Sequence, residues 1–155
     1  MGEYTAKIEW RRNGAAFTDN RFSRAHRWRF DGGAEVPASA SPLVVPPPLS
    51  DPAGVDPEEA FVASIASCHM LWFLALAARK GFRVEHYRDD AVGLLDKIES
   101  GKQAITRVTL RPDVGFSGDK QPSPGDIAEL HRKAHENCFI ANSVRTAITL
   151  EPGAS

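Results

Sequence analysis

The chain has 155 residues, of which 19 are basic and 20 are acidic, giving a formal net charge of −1. This length predicts one domain, residues 1–155, around a single core. A nucleic-acid scaffold or polyanion binder would be clearly basic, so the balanced charge predicts no nucleic-acid partner. The first ten residues, MGEYTAKIEW, lack the apolar run of a signal peptide, and we therefore expect a cytoplasmic protein.

The amino-terminal part predicts strands followed by a long loop. Alternating polarity indicates strands over residues 3–11 and 20–30. The second strand ends at an Asp-Gly-Gly turn. Residues 36–57 hold seven of the eleven prolines. Because proline fixes φ and removes a backbone donor, we predict an extended loop there, with a short edge strand near residues 43–45.

A helix is predicted over residues 57–80. Asp56 suits the N-cap, Pro57 the first helical position and Glu59 the closing residue of a capping box. Gly81 suits the position after the helix, where a left-handed conformation is common.

This helix is unusually apolar, since residues 60–78 contain no Asp, Glu, Lys or Arg. The run approaches the roughly 20 apolar residues of a membrane span. Ser64, Ser67 and His69 interrupt it, and the rest of the chain has a soluble composition, so we expect no membrane partner and favour a helix buried on nearly all sides. One small domain surrounds such a helix poorly, which favours a second subunit.

The carboxyl-terminal part predicts strands over residues 84–98, broken by Gly93, and over 104–116. A second helix is predicted over 125–137, with an apolar face of Ile127, Leu130 and Ala134. A last strand is predicted over 144–150. Strands, helix, strands, helix and strand indicate an α+β fold with a mostly antiparallel sheet.

The two cysteines, Cys68 and Cys138, are the main candidates for chemistry. A buried structural thiol is the alternative for each. Two thiols suit a two-step mechanism. One thiol attacks a peroxide oxygen to give a sulfenic acid, and the other condenses with that sulfenic acid to a disulfide. A zinc site drawn from these cysteines with His69 and His135 lacks the usual ligand spacing, so no metal is predicted.

A peroxidatic thiol needs a nearby cation to lower its pKa. On the second predicted strand, the period of two places Arg24 and His26 among three aromatic residues on one face. Arg24 is therefore the candidate cation. The alternative is that the Arg24 side chain extends to solvent at the edge of the sheet. His26 is interpreted as a hydrogen-bonded core histidine, with catalysis as the alternative.

Glu58 opens the predicted helix, where a carboxylate interacts favourably with the helix dipole. A functional alternative is that Glu58 holds Arg24 through a carboxylate fork. Ten residues of helix separate Glu58 from Cys68 by about 15 Å, so Glu58 would act on the thiol only through an arginine.

Two segments, DPEEAFVASIASCHM and AHENCFIANSV, resemble the OsmC/Ohr family. The resemblance lies in a Pro-Glu pair, a helical cysteine ten residues after the glutamate, and a second cysteine after a later helix. These map to Pro57, Glu58, Cys68 and Cys138, and the order of elements agrees over residues 3–151.

The resemblance implies an α+β fold whose mostly antiparallel sheets wrap around two central helices in an intertwined homodimer. It implies a thiol peroxidase for organic hydroperoxides, with hydrogen peroxide as a further substrate, in which Cys138 resolves a Cys68 sulfenate. An arginine and Glu58 would assist Cys68, a dithiol or a lipoylated protein would be the reductant, and no cofactor would be needed.

This sequence departs from the family pattern at the arginine. The Gly-Gly-Arg segment of the Ohr branch is absent, and residues 34–57, where the OsmC branch has its arginine, contain none. Arg24 is our choice from the strand-face argument, with Arg21 second. The alternative function is a non-catalytic dimer that binds an apolar small molecule. Its candidate walls are Phe22, Trp28, Trp72 and Phe73.

Overall fold

The computed structural model describes residues 1–151. In chain order the described residues form three strands, a helix, four strands, a second helix and a last strand, which confirms the α+β class. The chain divides into two compact units, Met1–Ala60 and one that begins at Phe61. The single domain over residues 1–155 stays a prediction.

The first unit contains a three-stranded antiparallel sheet in the order β1-β2-β3. Its strands are β1, Lys7–Glu9; β2, His26–Arg29; and β3, Glu35–Ala38. Both early strands are shorter than predicted, because the aromatic residues between them pack on one another instead of extending the sheet. Phe17 stacks on Phe22 with ring centroids 4.5 Å apart, and the Trp10 indole N–H donates to the Ser23 carbonyl at 2.8 Å.

The edge strand predicted at residues 43–45 is wrong. These residues form a turn in which the N–H groups of Val44 and Val45 both donate to the Ser41 carbonyl, at 3.0 and 2.9 Å. The strand in this proline-rich region is β3, where Pro37 lies on the edge of the sheet. An edge position tolerates proline because its missing N–H removes no interior ladder bond.

The first helix, α1, spans Pro57–Arg79 and begins and ends as predicted. The Asp56 carboxylate accepts from the Glu59 N–H at 2.8 Å, and the Glu59 carboxylate accepts from the Asp56 N–H at 3.2 Å. At the other end, the Gly81 N–H donates to Ala78 and the Phe82 N–H to Ala77, both at 3.0 Å. Gly81 has φ of +79°, so this end is a Schellman motif.

Helix α1 is buried along one stripe only. The stripe consists of residues spaced four apart: Ile65, His69, Phe73 and Ala77. Within the described chain, α1 is long and apolar enough to cross a membrane by length and composition alone, and 22% of its most apolar window is buried. Leu71 is 60% exposed. Burial on nearly all sides is therefore not achieved within one chain.

The second unit contains two sheets and the second helix, α2, Pro124–Asn137. The strands are β4, Arg83–Asp89; β5, Val92–Lys97; β6, Gln103–Leu110; β7, Pro112–Ser117; and β8, Ala147–Leu150. Strands β4 and β7 pair antiparallel, whereas β6 pairs antiparallel with β5 and parallel with β8. The sheets are therefore mostly antiparallel, as predicted.

Both long strands predicted in this unit change sheets part-way. The predicted strand 84–98 becomes β4 and β5, and 104–116 becomes β6 and β7, with the breaks after Asp89 and at Arg111. The Asp89 carboxylate accepts from the Arg111 N–H at 2.7 Å and holds the two breaks together. Gly93 was predicted to break the first strand but lies inside β5.

The hydrophobic core of this unit has two clusters, and α1 contributes to both. Phe73 and Ala77 of α1 pack with Leu130 and Ala134 of α2, next to β4 and β7. Ile65 packs with buried residues of β6. The stripe of α1 therefore connects both sheets of the unit to α2.

Gly93 allows β5 to approach α1 closely, because a Cβ at this position would lie 2.5 Å from Val62 Cγ2. We expect Gly93→Ala to lower the free energy of unfolding by about 1–3 kcal/mol through overpacking. Urea denaturation measures this. Gly32→Ala is the control, because an added Cβ there meets no heavy atom within 4 Å. Equal stability of the two variants would contradict the close approach.

Candidate functional site

The structure brings the two cysteines together. Cys68 lies in the middle of α1, and Cys138 is the C-cap residue of α2. Both are free thiols, and Cys68 lies close enough to Cys138 to raise the pKa of the Cys138 thiol. Sequence separation could not show this proximity, which depends on how α1 packs against α2.

Cys138 is held in a closed, mostly apolar environment and is 1% exposed. The Ala141 N–H donates to its Sγ at 3.3 Å, and the Asn142 N–H donates to its carbonyl at 3.0 Å. Burial, and to a smaller degree the neighbouring Cys68, raise the pKa of the Cys138 thiol to about 11, and the Ala141 N–H only partly offsets this rise. Cys138 is therefore a neutral thiol near pH 7.

Cys68 is the more accessible sulfur, since it is only half-buried. An aromatic pair flanks the two thiols: Trp72 lies one turn after Cys68, and Phe139 directly follows Cys138. Their rings meet edge to face, 5.6 Å apart at 84°. Phe139 is exposed, so this pair offers an apolar surface beside the thiols.

The prediction that Phe73 lines a ligand groove is wrong. Phe73 is completely buried in the core between α1 and α2, where it cannot contact a ligand. Trp72 is half-buried beside the thiols, while Phe22 and Trp28 belong to the first unit.

Next to the thiols, His69 and His131 form a buried pair. His69 Nε2 and His131 Nδ1 are 3.0 Å apart, and the ring planes differ by only 10°. The pKa of each histidine is lowered to about 4, mainly by burial, and the neighbouring His131 and His135 contribute to the shift of His69. Both rings are therefore neutral near pH 7, and one ring donates its proton to the other.

His131 was not among the residues predicted for the site. The pattern of α2 predicts an apolar face of Ile127, Leu130 and Ala134, and His131 is a polar residue on that same face. His131 lies four residues after Ile127, three before Ala134 and seven before Cys138, which places it on the same side of the helix. A histidine within an apolar face, with a second one in the other helix, is the signal that was available.

Arg24 does not lie in a strand, because β2 begins at His26. Burial nevertheless alternates from Phe22 to Trp28 as predicted. The Arg24 guanidinium lies 3.7 Å from the centroid of the Phe22 ring. It donates to the Asn20 carbonyl at 3.1 Å, to Asn20 Oδ1 at 2.8 Å and to the Phe22 carbonyl. Arg21 is exposed.

The carboxylate fork from Glu58 to Arg24 is not formed, since the guanidinium takes acceptors from its own loop instead. Glu58 is half-buried in the first turn of α1, and it is Glu59 that forms the capping box. His26 agrees with the structural interpretation, because its Nδ1 donates to the Arg24 carbonyl at 2.7 Å and its Nε2 accepts from the Trp28 indole at 3.0 Å.

Two other features of the described chain lie apart from the thiols. Over residues 1–151, no group of three or more His, Cys, Asp or Glu side chains is placed to hold a metal ion. An open groove of about 930 Å³ in the second unit is lined by residues that include Phe61, Ile105 and Arg145 but neither cysteine. The thiol site is therefore a surface beside α1 and α2, not this groove.

Residues 50–152 match the model of a protein family whose description is "OsmC-like protein". The chain belongs to the OsmC-like family. The solved structure of an OsmC-like protein of unknown function from Vibrio cholerae is 55% identical, with a TM-score of 0.96 over 98% of this chain and 99% of that chain. The organic hydroperoxide resistance protein OhrB of Bacillus subtilis is 22% identical, with a TM-score of 0.65 over 96% of this chain and 98% of that chain.

A curated relative, the uncharacterized protein YmaD of Bacillus subtilis, is 24% identical over 117 residues, which are 73% of this chain and 76% of YmaD. The family resemblance expected from the two cysteine segments is confirmed, and so is the OsmC-like fold. The intertwined dimer and the roles of the site residues stay predictions.

The buried histidine pair makes the stability of this OsmC-like protein depend on pH. Above about pH 6.5 the histidines are neutral in both the folded and the unfolded chain. Between about 6.5 and 4 the unfolded chain binds protons that the folded chain does not, so the free energy of unfolding falls as the pH falls. We expect urea denaturation between pH 7.5 and 4 to show this loss.

The matched variant is the double substitution His69→Leu with His131→Leu. Because this variant lacks both histidines, it should take up as many as about two fewer protons on unfolding in this pH window than the wild type does. Its free energy of unfolding should therefore depend on pH less steeply. An identical slope in the two proteins would show that other groups cause the loss.

Proposed function

We propose that this OsmC-like protein is a thiol peroxidase that reduces organic hydroperoxides, with Cys68 as the peroxidatic thiol and Cys138 as the resolving thiol. The observation that carries the proposal is that an accessible Cys68 lies close to a buried, protonated Cys138. Family membership and the fold shared with an organic hydroperoxide resistance protein support a peroxidase-related role.

In the first step the Cys68 thiolate attacks the distal oxygen of the hydroperoxide. A sulfur–oxygen bond forms, the oxygen–oxygen bond breaks, and the alkoxide takes a proton to leave as the alcohol. Cys68 becomes a sulfenic acid. The apolar Trp72 and Phe139 surface beside the sulfur suits an organic substituent better than it suits hydrogen peroxide.

In the second step Cys138 loses its proton and its sulfur attacks the Cys68 sulfur. A disulfide forms, and the sulfenic oxygen leaves as hydroxide, which becomes water. A protonated, buried Cys138 is unreactive towards peroxide, since the thiolate is the nucleophile. Its proximity to Cys68 makes it reactive only towards the sulfenic acid, for which the effective concentration is high.

Arg24 remains our proposed cation for the Cys68 thiolate. Its hydrogen-bond acceptors are carbonyl and amide oxygens, and among residues 1–151 it forms no ion pair. Its charge is therefore not neutralised by a carboxylate and is available to an anion. Glu58 is proposed to assist by orienting the arginine in the assembled protein.

The catalytic cycle requires a reductant for the Cys68–Cys138 disulfide. We propose a dithiol or a lipoylated protein, because a dithiol reduces a disulfide through a mixed disulfide and then closes on itself. A cytoplasmic location suits this cycle, since the disulfide would be transient in a reducing compartment.

The cysteine variants test the mechanism. We expect Cys68→Ser to abolish rapid oxidation and turnover, because the nucleophile is lost. Cys138→Ser should allow one oxidation event per chain and then over-oxidation to the sulfinic acid. Stopped-flow mixing with cumene hydroperoxide and with hydrogen peroxide, followed by denaturing mass spectrometry, measures both. The wild type should lose two hydrogens per chain.

Ser67→Ala is the control, since it changes a neighbouring exposed side chain and leaves both sulfurs in place. Full activity of Cys68→Ser would end this mechanism. Wild-type oxidation no faster than that of a free thiol would favour the non-catalytic binding dimer instead, with the Trp72 and Phe139 surface as its ligand site.

We also propose that a second copy of this chain covers the exposed face of α1. The helix is apolar on all sides, but only one stripe is buried within the described chain. Covering the remaining face by association removes apolar surface from water, and obligate homodimer interfaces are typically apolar.

Leu71→Lys tests the dimer, because it places a charge in the middle of the exposed α1 face. We expect it to shift the protein from dimer to monomer in analytical ultracentrifugation without detergent. Leu43→Lys is the control, since Leu43 is 98% exposed in a turn outside α1. A dimer that persists in Leu71→Lys and dissociates in Leu43→Lys would place the interface elsewhere.

A further inference from the structure

We infer that the His69–His131 hydrogen bond is a positioning device for the disulfide step: it fixes the register of α1 against α2 and so keeps the two sulfurs next to each other. This inference rests on the proposed function for its biological meaning. Its physical content, the control of disulfide formation by the histidine pair, is independent of peroxide chemistry.

The pair is placed where it controls both sulfurs. His69 directly follows Cys68 on α1, and His131 lies seven residues before Cys138, about 10 Å along α2. One turn of α1 thus meets α2 at two places, two turns of α2 apart: His69 is hydrogen-bonded to His131, and Cys68 lies near Cys138. Two separated contacts define both the register and the crossing direction of the helices.

The surrounding apolar contacts do not specify a register by themselves. Phe73 and Ala77 pack on Leu130 and Ala134, and such contacts are non-directional. The His131 ring also packs on Phe73, with centroids 4.4 Å apart. If α2 shifted along α1, both imidazoles would lose their partner inside this apolar cluster, and a buried polar group without a partner strongly destabilises the fold. A single buried polar pair fixes register in coiled coils in the same way.

Disulfide formation is the step that needs this register. The two Cβ atoms must come within about 3.5–4.5 Å of each other, whereas one residue of helix rises about 1.5 Å. A small axial shift therefore prevents bonding. Attack of Cys68 on a hydroperoxide needs only one sulfur and does not depend on the position of Cys138.

The experiment measures the effective concentration of the two thiols in glutathione redox buffers. We expect His131→Leu to lower it by at least about tenfold, because a misplacement of about 1 Å is enough to slow bond formation strongly. His131→Asn places an amide atom where Nδ1 stands and should stay within about threefold of the wild type. An unchanged value in His131→Leu, or equal losses in both variants, would overturn the inference.

Two further proteins separate positioning from loss of stability. Leu130→Ala removes a buried neighbour of His131 and should lower the urea midpoint of unfolding while leaving the effective concentration of the thiols near the wild-type value. The double variant His69→Leu with His131→Leu replaces the polar pair by an apolar one. It should fold even if His131→Leu alone does not, because it leaves no unpaired histidine in the core. If it formed the disulfide as readily as the wild type, the inference would be wrong.

A kinetic split links the result to the proposed peroxidase. In a Cys138→Ser background, His131→Leu should leave the rate of Cys68 oxidation by cumene hydroperoxide within about twofold, because that step needs no register. In the presence of Cys138, it should delay the disulfide and allow sulfinic acid to accumulate. The wild type could fail to react with peroxide while the variants still change the effective concentration of the thiols as expected. This result would refute the proposed function and leave the positioning role intact.

Discussion

The packing of one stripe of α1 against α2 determines where both cysteines lie. Four residues spaced four apart, Ile65, His69, Phe73 and Ala77, are the buried residues of α1. They connect α1 to both sheets and, through Phe73 and Ala77, to the buried face of α2. Because Cys68 is adjacent to this stripe and Cys138 ends α2, the same packing that forms the core also brings the two sulfurs close together.

The different surroundings of the two thiols give them different chemistry. Cys138 is enclosed by the turn that follows α2, where burial raises its pKa to about 11 and keeps it protonated. Cys68 lies on the side of α1 that its own chain leaves accessible. An accessible sulfur next to a buried one is the arrangement that the proposed two-cysteine mechanism needs, and the difference in burial between the two residues generates it.

Local hydrogen bonds outweighed strand periodicity in the first unit. Residues 20–30 have the alternation of a strand, but only His26–Arg29 pair in the sheet. Arg24 donates to Asn20 and Phe22, and its guanidinium stacks on the Phe22 ring. A side chain that satisfies its donors within four residues of its own position stabilises a turn in competition with the sheet.

The sequence alone determined the elements whose signals are local. The limits of α1 followed from Asp56, Glu59 and Gly81, because capping boxes and Schellman motifs are set by neighbouring residues. The family followed from the spacing around the two cysteines. Tertiary structure alone decided what depends on distant residues, such as the sheet change at Asp89. It also decided the proximity of Cys68 to Cys138 and the pairing of His69 with His131, because both depend on the register between two helices, which local sequence does not encode.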